Sequence, residues 1–214
     1  VKVDLYQLYQ LMLKEMGPTN WWPAESKEQI LVEAILIQNT TESNAIRASH
    51  NIAEATNYNL QKLLALETEV LQELVRPSGF MKNKAKSLQS VAAWVIEQGQ
   101  DWEAINQRYG NNLRERLLSL FGVGDETADV YLAYLFDQPA FVADKYARTL
   151  FWHLGVEHLT DYKSLHKELS ILPAPFTYQD AQEFHGLIDE FGKAYFGRSK
   201  QFSQSFLANK CLEF

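Results

Sequence analysis

Apolar side chains recur at spacings of three and four along this chain, and no stretch of strand length shows β-branched alternation. Such spacing puts apolar residues on one face of each successive helix, and the chain reads as almost entirely helical. Over residues 4–16 it aligns Leu5, Leu8, Tyr9, Met12 and Leu13, and Gly17-Pro18 stops the run. From Ser26 to Asn39 the stripe is Ile30, Leu31, Ala34, Ile35 and Leu36, with Ser26 and Gln29 spaced for a capping box. Further helices are predicted over 42–56, 60–66, 68–75, 80–98, 102–108, 111–120, 125–136, 145–154, 161–171, 178–194 and 199–209. Turn residues punctuate them at Pro77-Ser78-Gly79, Gly110-Asn111, Gly122-Val123-Gly124, Asp137-Gln138-Pro139 and Pro173-Ala174-Pro175. The fold class is all-α.

At 214 residues the chain can bury a proper core, as one large domain or two small ones. Its apolar runs, such as Ile35-Leu36-Ile37, are too short for a membrane span, and nothing resembles a signal peptide. A lone cysteine, Cys211, excludes an intrachain disulfide and any four-cysteine zinc or iron–sulfur site within the chain, and points to a reducing cytoplasm. His153, His158, His166 and His185 lack metal-ligand spacing and read as surface or core fillers. A net charge of −7 argues against a protein that coats nucleic acid without selectivity. Local basic groups remain: Arg76, Lys82, Lys84 and Lys86 within eleven residues free of acids, and Lys193, Arg198 and Lys200 further on.

Four local patterns could carry chemistry. Gly122-Val123-Gly124 precedes a helix-forming run through Thr127 and Ala128. It is either a plain inter-helix turn or a hairpin whose bare N–H groups receive a phosphate. Asp144 opens another helix, where it is either an ordinary N-cap or a carboxylate held at a helix mouth. Trp21-Trp22-Pro23 follows a helix stop and either lids the core or offers flat rings to a planar ligand. Gln38-Asn39-Thr40-Thr41-Glu42 is either a C-cap followed by a new N-cap, or a helix end from which Gln38 protrudes into a base stack.

Taken in order, these residues resemble a known family. The segment from Leu120 to Leu150, with its glycine hairpin, Thr127-Ala128 and an eighteen-residue step from Glu126 to Asp144, looks like the helix-hairpin-helix and aspartate of the endonuclease III superfamily of DNA glycosylases. Gln38-Asn39-Thr40 and Arg76-Pro77-Ser78-Gly79-Phe80 followed by Lys84-Ala85 extend the likeness. Trp21-Trp22-Pro23, Val75 to Phe80 and Asp144-Lys145-Tyr146 look like the bacterial endonuclease III-like 3-methyladenine DNA glycosylases. The similarity runs from about Trp21 to Leu154.

The resemblance implies two helical lobes without an iron–sulfur cluster. A six-helix lobe would take 24–137, residues 1–23 would join 138–214, and the active-site cleft would lie between the lobes. Gly122, Val123, Gly124 and Thr127 would bind a phosphate of double-stranded DNA, with a Na or K ion shared by the carbonyls of Phe121 and Val123. The damaged nucleotide would flip out. Gln38 would fill the gap and Phe80 would wedge into the opposite strand. Asp144 would be catalytic, and Trp21, Trp22, Pro23, Glu42 and Lys200 would line the base pocket. Alkyladenine relatives carry an aromatic residue where Glu42 stands. Bifunctional members carry a lysine two residues after the second hairpin glycine; here that residue is Glu126, which cannot form a Schiff base. The implied protein is a monomeric, cytoplasmic, monofunctional glycosylase acting on nucleoid DNA, taking alkylated purines such as 3-methyladenine, without a cofactor or membrane. The alternatives are a non-catalytic helix-hairpin-helix module that binds lesions and an unrelated helical interaction protein.

Overall fold

Most of the helices begin at a residue whose side chain caps them. In the computed structural model, which describes residues 1–198 and 200–214, Asp4 accepts from the Gln7 N–H at 2.8 Å while Gln7 accepts from the Asp4 N–H at 3.0 Å. This reciprocal pair starts α1 (Leu5–Met16), which ends at Gly17 with φ 77°. Ser26 caps α2 (Lys27–Leu36) through the Gln29 N–H, but the expected capping box is only half made. The Gln29 side chain instead receives the Glu25 N–H at 3.0 Å. The helix also stops at Leu36 rather than Asn39, because the Lys84 ammonium takes the Leu36 carbonyl at 2.8 Å.

The chain then runs through α3 (Glu42–Thr56), α4 (Leu60–Ala65), α5 (Thr68–Val75), a 3-10 turn at Arg76–Ser78, α6 (Met81–Glu97), α7 (Trp102–Tyr109), a second 3-10 turn at Gly110–Asn112, α8 (Leu113–Leu118) and α9 (Asp125–Tyr134). It continues with α10 (Lys145–His153), α11 (Tyr162–Glu168) and α12 (Tyr178–Tyr195). The architecture is all-α. No helix among the described residues is long and apolar enough to cross a membrane.

Two departures follow from backbone pairing that helical periodicity cannot report. α11 ends short of 171 because the Ser170 carbonyl accepts the Phe141 N–H at 2.9 Å and Ile171 bridges Ala140. The helix expected over 199–209 is a 3-10 turn at Phe202–Gln204 followed by turns; its first residue, Ser199, lies outside the described residues. Beyond it, β2 (Cys211–Leu212) pairs in parallel with β1 (Lys2–Val3).

The chain divides into two compact units, Ala24–Phe136 and Val1–Pro23 with Asp137–Phe214. The first buries Leu31, Ile35, Ile52, Leu63, Leu88 and Tyr131. α9 is its axial helix, buried from Thr127 to Tyr134. The Tyr131 hydroxyl donates to the Leu31 carbonyl at 2.9 Å, and complete burial pushes that phenol well above its ordinary pKa. The second unit buries Leu8, Met12, Phe141, Phe151, Phe184 and Phe191 in one cluster drawn from α1, α10, α12 and the segments around them.

Candidate functional site

In the unit formed by residues 1–23 and 137–214, Asp144 follows buried Val142 and Ala143 and stands as the N-cap of α10. Its Oδ1 accepts the Ala147 N–H at 2.8 Å. Oδ2 lies 3.3 Å from His185 Nε2, with the two side chains only 14% and 12% exposed. Capping therefore occupies one oxygen and leaves the other to a tertiary partner. His185 is not the filler expected from its sequence; it reaches Asp144 from α12.

That helix organises the rest of the unit's site. His185, Asp189 and Lys193 recur every four residues and so share one face. Burial raises the Asp189 carboxyl above its ordinary pKa, although Lys193 Nζ sits 2.7 Å from its Oδ2. Lys193 also pairs with Glu190 at 3.1 Å and lies 5.2 Å from the ring centroid of Trp21. Glu183 holds the loop that carries the tryptophans: it accepts the Thr19 N–H, the Thr19 hydroxyl at 2.7 Å and the Asn20 N–H at 3.0 Å. The rings of Trp21 and Trp22 are 5.6 Å apart and half-buried, and Pro23 is exposed. Lys200 lies beyond the end of α12 with its ammonium 5.7 Å from the Tyr195 ring, so the lysine beside Trp21 is Lys193 instead.

In the unit formed by residues 24–136, α8 and α9 are joined by the glycine hairpin. Gly122 has φ 80°, and a Cβ there would stand 1.7 Å from Ser87 Oγ, so this position accepts no side chain. Val123 is buried, and its N–H bonds the Leu120 carbonyl at 3.2 Å within the turn. Gly124 is the N-cap of α9 and supplies no side-chain cap, so the first turn presents backbone N–H groups as an anion site would. Lys86 holds its ammonium 4.1 Å from the centroid of the partly exposed Phe121 ring, a positive charge beside the hairpin. Arg114 on α8 clamps α9 by bonding Asp129 at 2.8 and 3.2 Å and Asp125 at 3.1 Å. Glu126 is exposed in the first turn of α9.

Gln38 does not protrude. Its amide donates to the Gly122 carbonyl at 3.0 Å and to the Thr127 hydroxyl at 2.8 Å, which ties the end of α2 to the hairpin. Thr127 is buried and faces this amide. Thr41 caps α3 through the Asn44 N–H at 3.3 Å, and Glu42 is exposed in that helix's first turn. Phe80, by contrast, is 66% exposed and held at φ 46°, a conformation that bulky residues rarely adopt. Beneath it, the buried Lys84 ammonium donates to the Leu36 and Ser78 carbonyls at 2.8 and 2.7 Å. One lysine thus fastens both segments from which Gln38 and Phe80 arise.

Residues 32–174, more than half of the chain, match the model of the HhH-GPD superfamily base excision DNA repair protein. The chain belongs to the HhH-GPD superfamily. It is 36% identical over 194 residues to the Methanocaldococcus jannaschii protein named "Putative DNA repair glycosylase MJ1434", covering 89% of this chain and 88% of that one. Among solved structures it is similar to the Helicobacter pylori 3-methyladenine DNA glycosylase MagIII bound to 1,N6-ethenoadenine. That likeness has a TM-score of 0.72 at 30% identity and covers 90% of this chain and 98% of the other. A non-covalent endonuclease III–DNA complex shares the fold with a TM-score of 0.71 at 20% identity, over 95% and 92% of the two chains. This HhH-GPD protein is a DNA glycosylase of base excision repair.

Proposed function

We propose that the protein is a monofunctional glycosylase that releases alkylated purines such as 3-methyladenine from duplex DNA and leaves an abasic site. The observation that carries this reading is Glu126, an exposed carboxylate in the first turn of α9 where a lyase of the family presents its lysine. A carboxylate cannot attack C1′ to make an imine, so water must. Lys145 is exposed on the first turn of α10, next to Asp144 in sequence, and does not stand at the family's lysine position, which Glu126 fills.

The target nucleotide leaves the stack, Phe80 enters the distorted duplex together with Gln38 once the Gln38 amide lets go of the hairpin oxygens, and the base lies against Trp21 and Trp22. The C1′–N bond breaks with its electron pair passing to the base, which neutralises an alkylated, cationic purine as it departs. Positive charge grows on the sugar. The Asp144 carboxylate stabilises that charge, orients the water that bonds to C1′ and accepts the proton that the water gives up. Electron-rich indole faces favour a cationic base. The MagIII likeness at 30% identity supports this substrate class. The first-turn N–H groups of α9 bind a phosphate, which positions the duplex without reading its sequence. The carbonyls of Phe121 and Val123 would hold the Na or K ion of the family hairpin; Gln38 takes the Gly122 carbonyl, not these two.

Methylated duplex DNA tests the reading. Expected are free 3-methyladenine, strand breaks only after alkali or heat, no product trapped by borohydride, and loss of release in Asp144→Asn. Binding without base release would instead mark a lesion-binding module. A borohydride-trapped adduct would overturn the monofunctional assignment.

A further inference from the structure

Asp144 is held by two elements, and one of them has no part in the mechanism above. His185 sits on α12, 41 residues from Asp144 in sequence, with Nε2 3.3 Å from Oδ2. An ionised carboxylate only accepts hydrogen bonds, so with Asp144 charged the proton between them belongs to His185 Nε2. The Ala147 N–H occupies Oδ1 at 2.8 Å. Two donors, one on each oxygen, fix both the torsion of the carboxyl and the lone pairs it leaves open.

α12 is built to keep this imidazole in place. Gly186, next to His185, lets the helix approach Trp21 until an added Cβ would be 2.5 Å from the Trp21 Cβ. Gly192 lies so close to Tyr146 that an added Cβ would be 2.3 Å from its Cγ. Tyr146 is two residues past Asp144, so α12 is seated against α10 directly beside the carboxylate. Asp189, one turn beyond His185, brings a second buried carboxyl into the same field.

We propose that His185 is the positioning residue of the glycosylase centre, clamping Asp144 in a single orientation as the second of its two donors. This rests on the reading of Asp144 given above. His185 touches no reacting atom; it acts by denying the carboxylate its other rotamers, and misplacement of a reacting group by even an ångström is costly.

The test uses the whole chain, duplex DNA containing 3-methyladenine, and three variants. His185→Ala should slow single-turnover base release by about tenfold to a hundredfold while duplex affinity stays within about twofold. His185→Gln, whose amide N–H can reach the same oxygen, should restore most of the rate. Wild-type rates in His185→Ala would overturn the proposal. So would a His185→Gln variant no faster than His185→Ala in which DNA affinity falls equally, the pattern of a merely structural role. The imidazole nitrogen resonances of His185 give a readout independent of activity. They should report the Nε2–H tautomer and move in Asp144→Asn; resonances that ignore that substitution overturn the pairing. Undiminished base release by Asp144→Asn would overturn the glycosylase assignment of that residue instead, and the imidazole signals separate the two failures.

Discussion

Gly186 is in van der Waals contact with Trp21, and a Cβ built on it would stand 2.5 Å from the Trp21 Cβ and 2.4 Å from Thr19 Oγ1. The loop it meets is bonded to Glu183 through Thr19 and Asn20, so neither side can retreat without breaking those bonds. Gly186→Ala should therefore shift the tryptophan loop away from α12 and lower stability by about 1–3 kcal/mol, the usual range for overpacking. Base release should fall by at least about tenfold, because the stacking surface moves with the loop. Indole fluorescence and single-turnover kinetics on the same sample check both outcomes.

Arg114 ties α8 to α9. Its guanidinium bonds both oxygens of Asp129, whose side chain is 1% exposed. Arg114→Ala takes the guanidinium from a buried carboxylate and should cost about 3–5 kcal/mol. A double variant with Asp129→Asn should recover part of that loss, since it removes the buried charge as well. Denaturant midpoints of the four proteins in the cycle decide the matter.

Lys84 predicts a stability that depends on pH. Burial pushes its ammonium down from 10.5 to about 8. Between those values the folded chain has released a proton that the unfolded chain still holds, so stability rises with pH across this window. Below about 8 both states carry the proton and the burial penalty is complete; above 10.5 both have lost it. The full difference is on the order of 3 kcal/mol. Lys84→Met lacks the titrating group, so subtracting its pH profile from that of the wild type isolates the slope. A flat difference across the window would show that the ammonium is not desolvated.

The residues that were legible in the sequence are those whose partners lie within a turn or two. Asp144 and its bond to Ala147, the Gly17 stop and the Gly122 turn all follow from local rules of capping and backbone conformation. His185 was not legible, because its partner is 41 residues away and only the packing of α10 against α12 brings them together. The i, i+4 step from His185 to Asp189 to Lys193 was present as a signal, but it resembles any solvated helix face until Trp21 is known to lie against it. α2 ends at Leu36 for a similar reason: the group that takes its last carbonyl, Lys84, is on α6. Gln38 reads in the sequence either as part of a cap or as a protruding side chain, because nothing near it in sequence reveals the hairpin oxygens that receive its amide.

The two hairpin glycines should respond differently to alanine. Gly122 combines φ 80° with Ser87 Oγ 1.7 Å from an added Cβ, so Gly122→Ala must distort the turn. Gly124 has φ −94° and nothing within 4 Å, so Gly124→Ala should keep its melting temperature. Any DNA affinity that Gly124→Ala loses then reports access to the first-turn N–H groups rather than unfolding. Thermal melts and duplex titrations of both variants separate the effects.

The tie between Gln38 and the hairpin leads to an order of variants rather than a single value. The amide donates to two oxygens, the Gly122 carbonyl and the Thr127 hydroxyl. Gln38→Ala removes both bonds and leaves room for water to reach the hairpin. Gln38→Glu sets a carboxylate against the same oxygens; Thr127 can turn its hydroxyl to donate, but the carbonyl can only repel. The glutamate variant should therefore be less stable than the alanine variant, with a cost of about 1–3 kcal/mol for the opposed acceptors. Duplex affinity should fall in the same order, wild type above Gln38→Ala above Gln38→Glu, since the added charge lies beside the expected phosphate site. That last gap should narrow as salt is raised, because phosphate-led binding is screened and the bond geometry is not. Equal melting temperatures for Gln38→Ala and Gln38→Glu would mean that the side chain does not rest on the hairpin in solution.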